Sequence, residues 1–325
     1  MRFATWISTA LFAGLTLHAA TGHANSLAPH NAQVVTASAP MTSAVSSRTG
    51  SRTSRSIPAS YGRGAADPEF RGMVKLSMKF DTGGGRVMTE HCGGTVIDSR
   101  WIVTAAHCLR GQGGERWDRI EIQTGDTHLD GSKVIRRTAY QAIIHAGFEY
   151  ATLSNDIALV HLREPLPRSV VPARLDLQAQ PSVARGGYAR TAGWPITGAK
   201  AGMRQLQTTQ VAVSNQGLDG YITVASPTGA IEGVCQGESG GPLMSVRNGQ
   251  AQLAGVLSGI QPGTNDASGE PCMLGGYEMY FTPISTYRAW IDRVRAVCSF
   301  NPEACGPERS YFLADASSTA PISIL

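Results

Sequence analysis

From about residue 67 onward, the apolar content of this 325-residue chain is broken into short runs, each ended by Gly, Pro, Asn or Asp. Met73–Met78, Gly94–Ile97, Ile120–Gln123, Ile157–Leu162, Val211–Val213 and Leu253–Leu257 are the clearest. Runs this short, with β-branched residues and frequent turn formers, suit strands and not helices. An all-β fold is therefore expected, an antiparallel barrel or sandwich. The 37 glycines agree with a turn-rich chain, and 42% apolar against 16% charged residues allows a sizeable core. The same figures exclude a wholly disordered or collagen-like chain. One helix is predicted over Ile284–Val297, where Tyr287, Trp290, Ile291, Val294 and Val297 fall on one face.

The flanks read differently. Residues 1–24 begin Met1-Arg2, run apolar from Phe3 to Leu17 and end in small residues around Gly22-His23-Ala24. A positive start, a short apolar stretch and a small-x-small end describe a secretory signal peptide. Cleavage is expected after Ala24, with Ala20 as the alternative. Residues 25–66 are rich in Ser, Thr and Ala, carry Arg48, Arg52, Arg55 and Arg63 but no acid, and show no apolar period. They are expected to be a flexible leader or pro-segment. Residues 67–305 form the folded domain, and 306–325 are expected to be a tail. Location outside the cytoplasm, extracellular or periplasmic, follows from the signal.

Six cysteines, Cys92, Cys108, Cys235, Cys272, Cys298 and Cys305, lie beyond the signal. In an exported chain an even count reads as three disulfides, although six cysteines allow 15 pairings. None has C-x-x-C spacing, so a zinc or dithiol site has little support. Three further motifs occur in order: Thr104-Ala105-Ala106-His107-Cys108, then Asn155-Asp156-Ile157-Ala158-Leu159-Val160, then Gly237-Glu238-Ser239-Gly240-Gly241-Pro242. Singly, each has a plain structural reading: a core histidine, a turn aspartate, a serine in a glycine loop. Together they supply a nucleophile, a base and an orienting carboxylate.

With these motifs in this order, the chain resembles the chymotrypsin/trypsin family of secreted serine peptidases over about residues 70–297. His91-Cys92-Gly93-Gly94, Ile143-Ile144-His145, Gly193-Trp194, Leu206-Gln207 and Gly255-Val256-Leu257-Ser258 match in sequence as well. The resemblance implies two packed six-stranded antiparallel barrels with a C-terminal helix. It implies His107 as base, Asp156 as its orienting partner and Ser239 as nucleophile, with the Gly237 and Ser239 N–H groups forming an oxyanion hole. It also implies Cys92–Cys108, closing a loop worth about 3 kcal/mol, and Cys235–Cys272 beside the primary pocket. Cys298 and Cys305 remain, a pairing with no family counterpart.

By the same resemblance, Gly233 and Val234 fall at the pocket floor, where trypsin-type members carry an Asp. Ser258, Gly259 and Ile260 fall on the far wall, with Met279 a further candidate. Without the acid, and with a branched Ile260, a small or medium aliphatic P1 residue is expected. Glu238 stands where the family usually has Asp, and no Ile-Val-Gly-Gly start occurs between Ser26 and Arg71. An internal partner for Glu238 and a bacterial member of the family are therefore expected. The rival reading is a catalytically weak, protease-like secreted binding protein. An esterase shares the G-x-S-x-G pattern of Gly237–Gly241 but requires the order Ser…Asp…His.

No metal or other cofactor is expected, since Asp126 and Asp130 share a loop but that spacing is weak support for calcium. The formal charge of +4 resides in the flanks. Residues 1–66 hold five arginines and no acid, leaving 23 basic and 24 acidic side chains beyond them. Nothing in that balance points to nucleic acid, and no later run reaches bilayer-spanning length. The partners expected are protein or peptide substrates, with no nucleic acid, no membrane once the signal is removed, and a monomeric enzyme.

Overall fold

The computed structural model describes residues 67–110, 116–176, 183–194, 204–215, 220–225, 237–261, 278–301 and 309–313. The first six strands are β1 (Met73–Gly83), β2 (Arg86–Asp98), β3 (Trp101–Thr104), β4 (Arg119–Thr124), β5 (Ile135–Ile144) and β6 (Ala158–Leu162). They follow the order β5-β4-β1-β2-β3-β6, and β5 pairs with β6 to close the barrel. Closure depends on a bend in β5. Its first half, from Ile135 to Thr138, pairs with β4, and its second half, from Ala139 to Ile144, pairs with β6. The register shifts between Ala139 and Gln141, leaving Tyr140 as the extra residue that turns the strand.

A second closed barrel contains β7 (Tyr188–Gly193), β8 (Gln207–Asn215), β9 (Ile222–Ala225), β10 (Pro242–Arg247), β11 (Gln250–Gln261) and β12 (Glu278–Pro283), in the order β10-β11-β12-β9-β8-β7. All its pairings are antiparallel. The two-barrel architecture expected from the resemblance is thus the architecture found. The alternating apolar and polar residues of Arg119–Thr124 alternate buried and half-buried in β4, as a strand with one face on the core must.

The larger apolar cluster extends beyond the first barrel to Ala192, Met244, Leu253 and Val256 of the second, and to Ile284, Trp290, Ile291 and Val294 of the C-terminal helix. A smaller cluster, including Val211, Val224, Leu243, Leu257 and Phe281, fills the second barrel. A short helix α1 (Ala106–Leu109) follows β3, and the C-terminal helix α2 spans Ile284–Phe300. On α2 the inward face ends at Cys298, fully buried, whereas Val297 is exposed. The predicted stripe was one residue off at that end, because 298 continues the spacing from 291 and 294.

The C-terminal segment requires a correction. Within the expected tail, Arg309–Phe312 forms β13, antiparallel to the second half of β5. Tyr311 and Leu313 are buried, and the Tyr311 hydroxyl donates to the Leu109 carbonyl at 2.6 Å. Four residues need no visible periodicity to add to an open strand edge, so the sequence pattern did not reveal it.

Candidate active site

Helix α1 carries His107 and begins without a side-chain cap, since its N-cap is Ala105. The free N–H groups of a helix start need an acceptor. Asp156 supplies one from the other end of the barrel sequence. Its Oδ1 accepts the His107 backbone N–H at 2.9 Å, and its Oδ2 lies 2.8 Å from His107 Nδ1. The aspartate is fully buried, and its backbone carbonyl accepts the Thr282 hydroxyl at 3.0 Å. The preceding Asn155 adopts a left-handed backbone, φ 55°. Its amide donates to the Gly147 carbonyl at 2.8 Å and its oxygen accepts from Tyr287 at 3.0 Å. The turn presenting Asp156 is therefore fixed on both sides.

A third donor arrives from the second barrel. The Ser258 hydroxyl donates to Asp156 Oδ2 at 2.5 Å. Between Leu257 and Gly259 the register of β11 against β12 shifts, making Ser258 the bulged residue. A bulge re-aims one side chain without interrupting the sheet, and here it sends the hydroxyl across the seam between the barrels. Burial opposes protonation of His107, but the charge and hydrogen bond of Asp156, with a smaller contribution from Glu90, together raise the histidine pKa above 6.5. With Nδ1–H directed at Asp156, the remaining nitrogen, Nε2, is available as a proton acceptor.

The loop bearing Ser239 is anchored by backbone. The Ser239 carbonyl accepts the Gly93 N–H at 2.7 Å, Gly240 N–H donates to Leu257, and Gly241 N–H donates to Glu238. Gly240 has φ 80°, and a Cβ there would stand 2.2 Å from Thr104 Oγ1 and 2.5 Å from the Gly93 carbonyl oxygen. Only glycine fits that approach. Gly237 likewise has φ 89°. The Cys92–Cys108 disulfide forms as expected, and the Cys108 sulfur lies 3.7 Å from both His107 Nε2 and the Ser239 carbonyl oxygen. The two residues thus flank one atom, although no hydrogen bond links the Ser239 hydroxyl to His107 Nε2. Such bonds are often long before substrate binds. Cys92, His107 and Cys108 cluster closely enough for metal ligands, but the bonded sulfurs are not thiolates and cannot serve as such.

Glu238 is buried, and a Cβ on Gly193 would lie 2.3 Å from its Oε1, so this carboxylate rests directly on the β7 backbone. Ser258 and Gly259 lie in β11, with Leu153 Cδ1 3.6 Å from a Cβ placed on Gly259. Ile260 is half-buried against the second-barrel core and pairs across to Met279, which is fully buried there. Gly233, Val234, Cys235, Cys272 and Cys305 lie outside the described residues. Cys298 is disulfide-bonded. Asp130 is held by Arg204, and Asp126 accepts the His128 N–H at 3.1 Å. Sequence reasoning missed Ser258 as a partner of Asp156, and missed Thr282, Tyr287 and Asn155 as its supports. Ser258, Thr282 and Tyr287 have no local signal, since their contacts come from chain segments distant in sequence; Asn155 sits beside Asp156, but its left-handed turn and its bond to Gly147 are not visible in the sequence.

The trypsin family model matches residues 60–291. Trypsin-1 of Astacus astacus is 28% identical over 62% of this chain and 86% of its own length. Trypsin CFT-1 of Choristoneura fumiferana is 31% identical, covering 62% and 78% respectively. Trypsin of Xenopus laevis is 29% identical, covering 63% and 81%. These relatives are animal proteins, so the expectation of a bacterial member finds no support. The two closed barrels, the site at their seam and the match over most of the chain lead to one conclusion: this protein belongs to the trypsin family and is a serine endopeptidase.

Proposed function

We propose that the protein is a secreted endopeptidase that cleaves through an acyl-enzyme on Ser239, with His107 as general base and acid and Asp156 as its orienting partner. The observation that carries this reading is the double grip of buried Asp156 on His107, backbone and ring together. In the proposed cycle, Ser239 Oγ attacks the scissile carbonyl carbon while His107 Nε2 takes its proton. The carbonyl oxygen becomes an oxyanion, for which the Gly237 and Ser239 N–H groups are the donors. Collapse breaks the C–N bond, and the imidazolium returns its proton to the leaving amine. Water, deprotonated by the same nitrogen, then hydrolyses the ester and restores the serine.

The substrate proposed has a small or medium aliphatic P1 residue, such as Ala, Val or Leu. This reading is supported by the absence of an acid at Gly233 and Val234 and by the branched Ile260, half-buried against the second-barrel core; Met279, fully buried in that core, does not face substrate. Secretion is proposed from the leader pattern of residues 1–24. Among the described residues, no helix is long and apolar enough to cross a membrane. The second reading, a catalytically weak binding protein, draws on one observation: the Ser239 hydroxyl is not hydrogen-bonded to His107.

A peptide library varied at P1 tests the reading. The mature enzyme should cleave best after Ala, Val or Leu, and Ser239→Ala should lower kcat by roughly 10⁵-fold or more while leaving the fold intact. Highest kcat/KM after Arg would overturn the specificity, and undiminished turnover by Ser239→Ala would overturn the mechanism.

A further inference from the structure

On the outer face of the first barrel, where β5 leaves β4 for β6, lies an open groove of about 520 Å³. Its walls include Arg136, Arg137, Arg163, Tyr140 and Leu313. Two carboxylates share the groove, but neither neutralises it. Glu121 is already held by Lys79 at 2.8 Å and Arg119 at 2.7 Å. Glu164, three-quarters exposed, stands 3.7 Å from Arg137 Nε. That Nε is buried and has no hydrogen-bond partner. Arg136 is exposed, and Arg163 lies over the Tyr140 ring with its guanidinium carbon 4.6 Å from the centroid.

Three arginines and two carboxylates line the groove, and because Glu121 is already engaged by Lys79 and Arg119 from outside it, the arginines predominate there. The chain beyond residue 66 has 23 basic and 24 acidic side chains, so this predominance is local and not a general property. The half-buried Tyr140 places an aromatic ring among the arginines, while Ile122, Ala139 and Leu313 beside it are buried. A densely charged polyanion would meet both that ring and the two glutamates, whereas a peptide with acidic and apolar side chains complements the arginines and the ring together.

We propose that this groove binds an acidic segment of the protein substrate, outside the catalytic cleft. The proposal rests on the peptidase reading for its purpose, though not for its chemistry. From Ala139 to Ile144, β5 covers about 17 Å, and Ile144 pairs with Ala158, two residues beyond Asp156. A chain running along the barrel could therefore occupy both places, and the groove would raise the local concentration of substrates carrying an acidic stretch.

The test uses two fluorogenic substrates with the same cleavage sequence, one extended by an Asp/Glu/Phe segment and the other by a Ser/Gly segment of equal length. The acidic substrate should show about tenfold higher kcat/KM at low ionic strength. The advantage should vanish near 1 M salt, where the Debye length is about 3 Å. Arg136→Glu combined with Arg163→Glu should abolish it without altering kinetics on the short cleavage peptide, and Arg247→Glu on β10 should leave it intact. Equal kcat/KM for the two substrates, or an advantage that survives the double reversal, would overturn the proposal. Heparin binding that the same reversal weakens, with no binding of the acidic peptide, would assign the groove to a polyanion and overturn it as well. If the short peptide is not cleaved at all, the peptidase reading has failed. Anisotropy of a labelled acidic peptide on wild type and the double variant then still decides the groove.

Discussion

Three donors converge on the Asp156 carboxylate: the His107 amide, the His107 ring and the Ser258 hydroxyl. Burial is the largest single influence and opposes protonation of His107, but the charge and hydrogen bond of Asp156, with a smaller contribution from Glu90, together raise the histidine pKa above 6.5. The sign for activity follows directly, because a base must be unprotonated. In pH–rate profiles on a short peptide, kcat/KM should rise with pH through a midpoint above 6.5. Asp156→Asn should move that midpoint down and cost about 10⁴-fold in kcat. An unchanged midpoint in the variant would contradict the electrostatic account. For stability the same shift acts oppositely: the pair's contribution is full below pH 6.5 and is lost as pH rises through the folded pKa. The residues proposed to react could be picked out of the sequence because chemistry restricts their identity and order. Ser258 as a third donor was not, because a bulge in β11 defined by its pairing with distant β12 aims it.

Helix α1 is four residues long and cannot hold its own shape, since it has almost no internal hydrogen bonds. It is held from outside at both ends. Asp156 takes the His107 N–H at the start, while the Trp117 indole donates to the Cys108 carbonyl at 2.8 Å and Tyr311 donates to the Leu109 carbonyl at 2.6 Å. Strand β13 thus reaches from the far end of the chain to the element that carries His107. Tyr311→Phe leaves a buried carbonyl without its donor and should cost about 1–2 kcal/mol of stability, read by chemical denaturation. A variant as stable as wild type would show that β13 is a passive addition. This strand had no sequence signature: its register is copied from β5, and only the free edge of β5 calls for it. Strands β1, β2, β8 and β11 and helix α2 were readable because each carries its own apolar pattern, whereas β5, opening Ile135-Arg136-Arg137, was not.

At the scale of the molecule, two barrels share an apolar layer, and the site is assembled across it. His107 and Asp156 come from the first barrel, while Ser258 comes from the second and the Ser239 loop leads into it at β10. The larger core cluster crosses the same seam through Ala192, Met244, Leu253 and Val256, so packing of the barrels and positioning of the site are one event. Closure of each barrel was implied by the resemblance and not by composition, since short apolar runs fit a sandwich equally well. The charge balance also becomes clear at this scale, with a near-neutral domain that concentrates arginines at one groove. The central claim is that Ser239 is a nucleophile activated by His107. A fluorophosphonate probe followed by peptide mapping tests it most directly. The account predicts a single adduct on Ser239, lost in His107→Ala, with peptidase activity falling in step with labelling; absence of the adduct from the mature wild-type enzyme, or full activity after stoichiometric labelling, would contradict it.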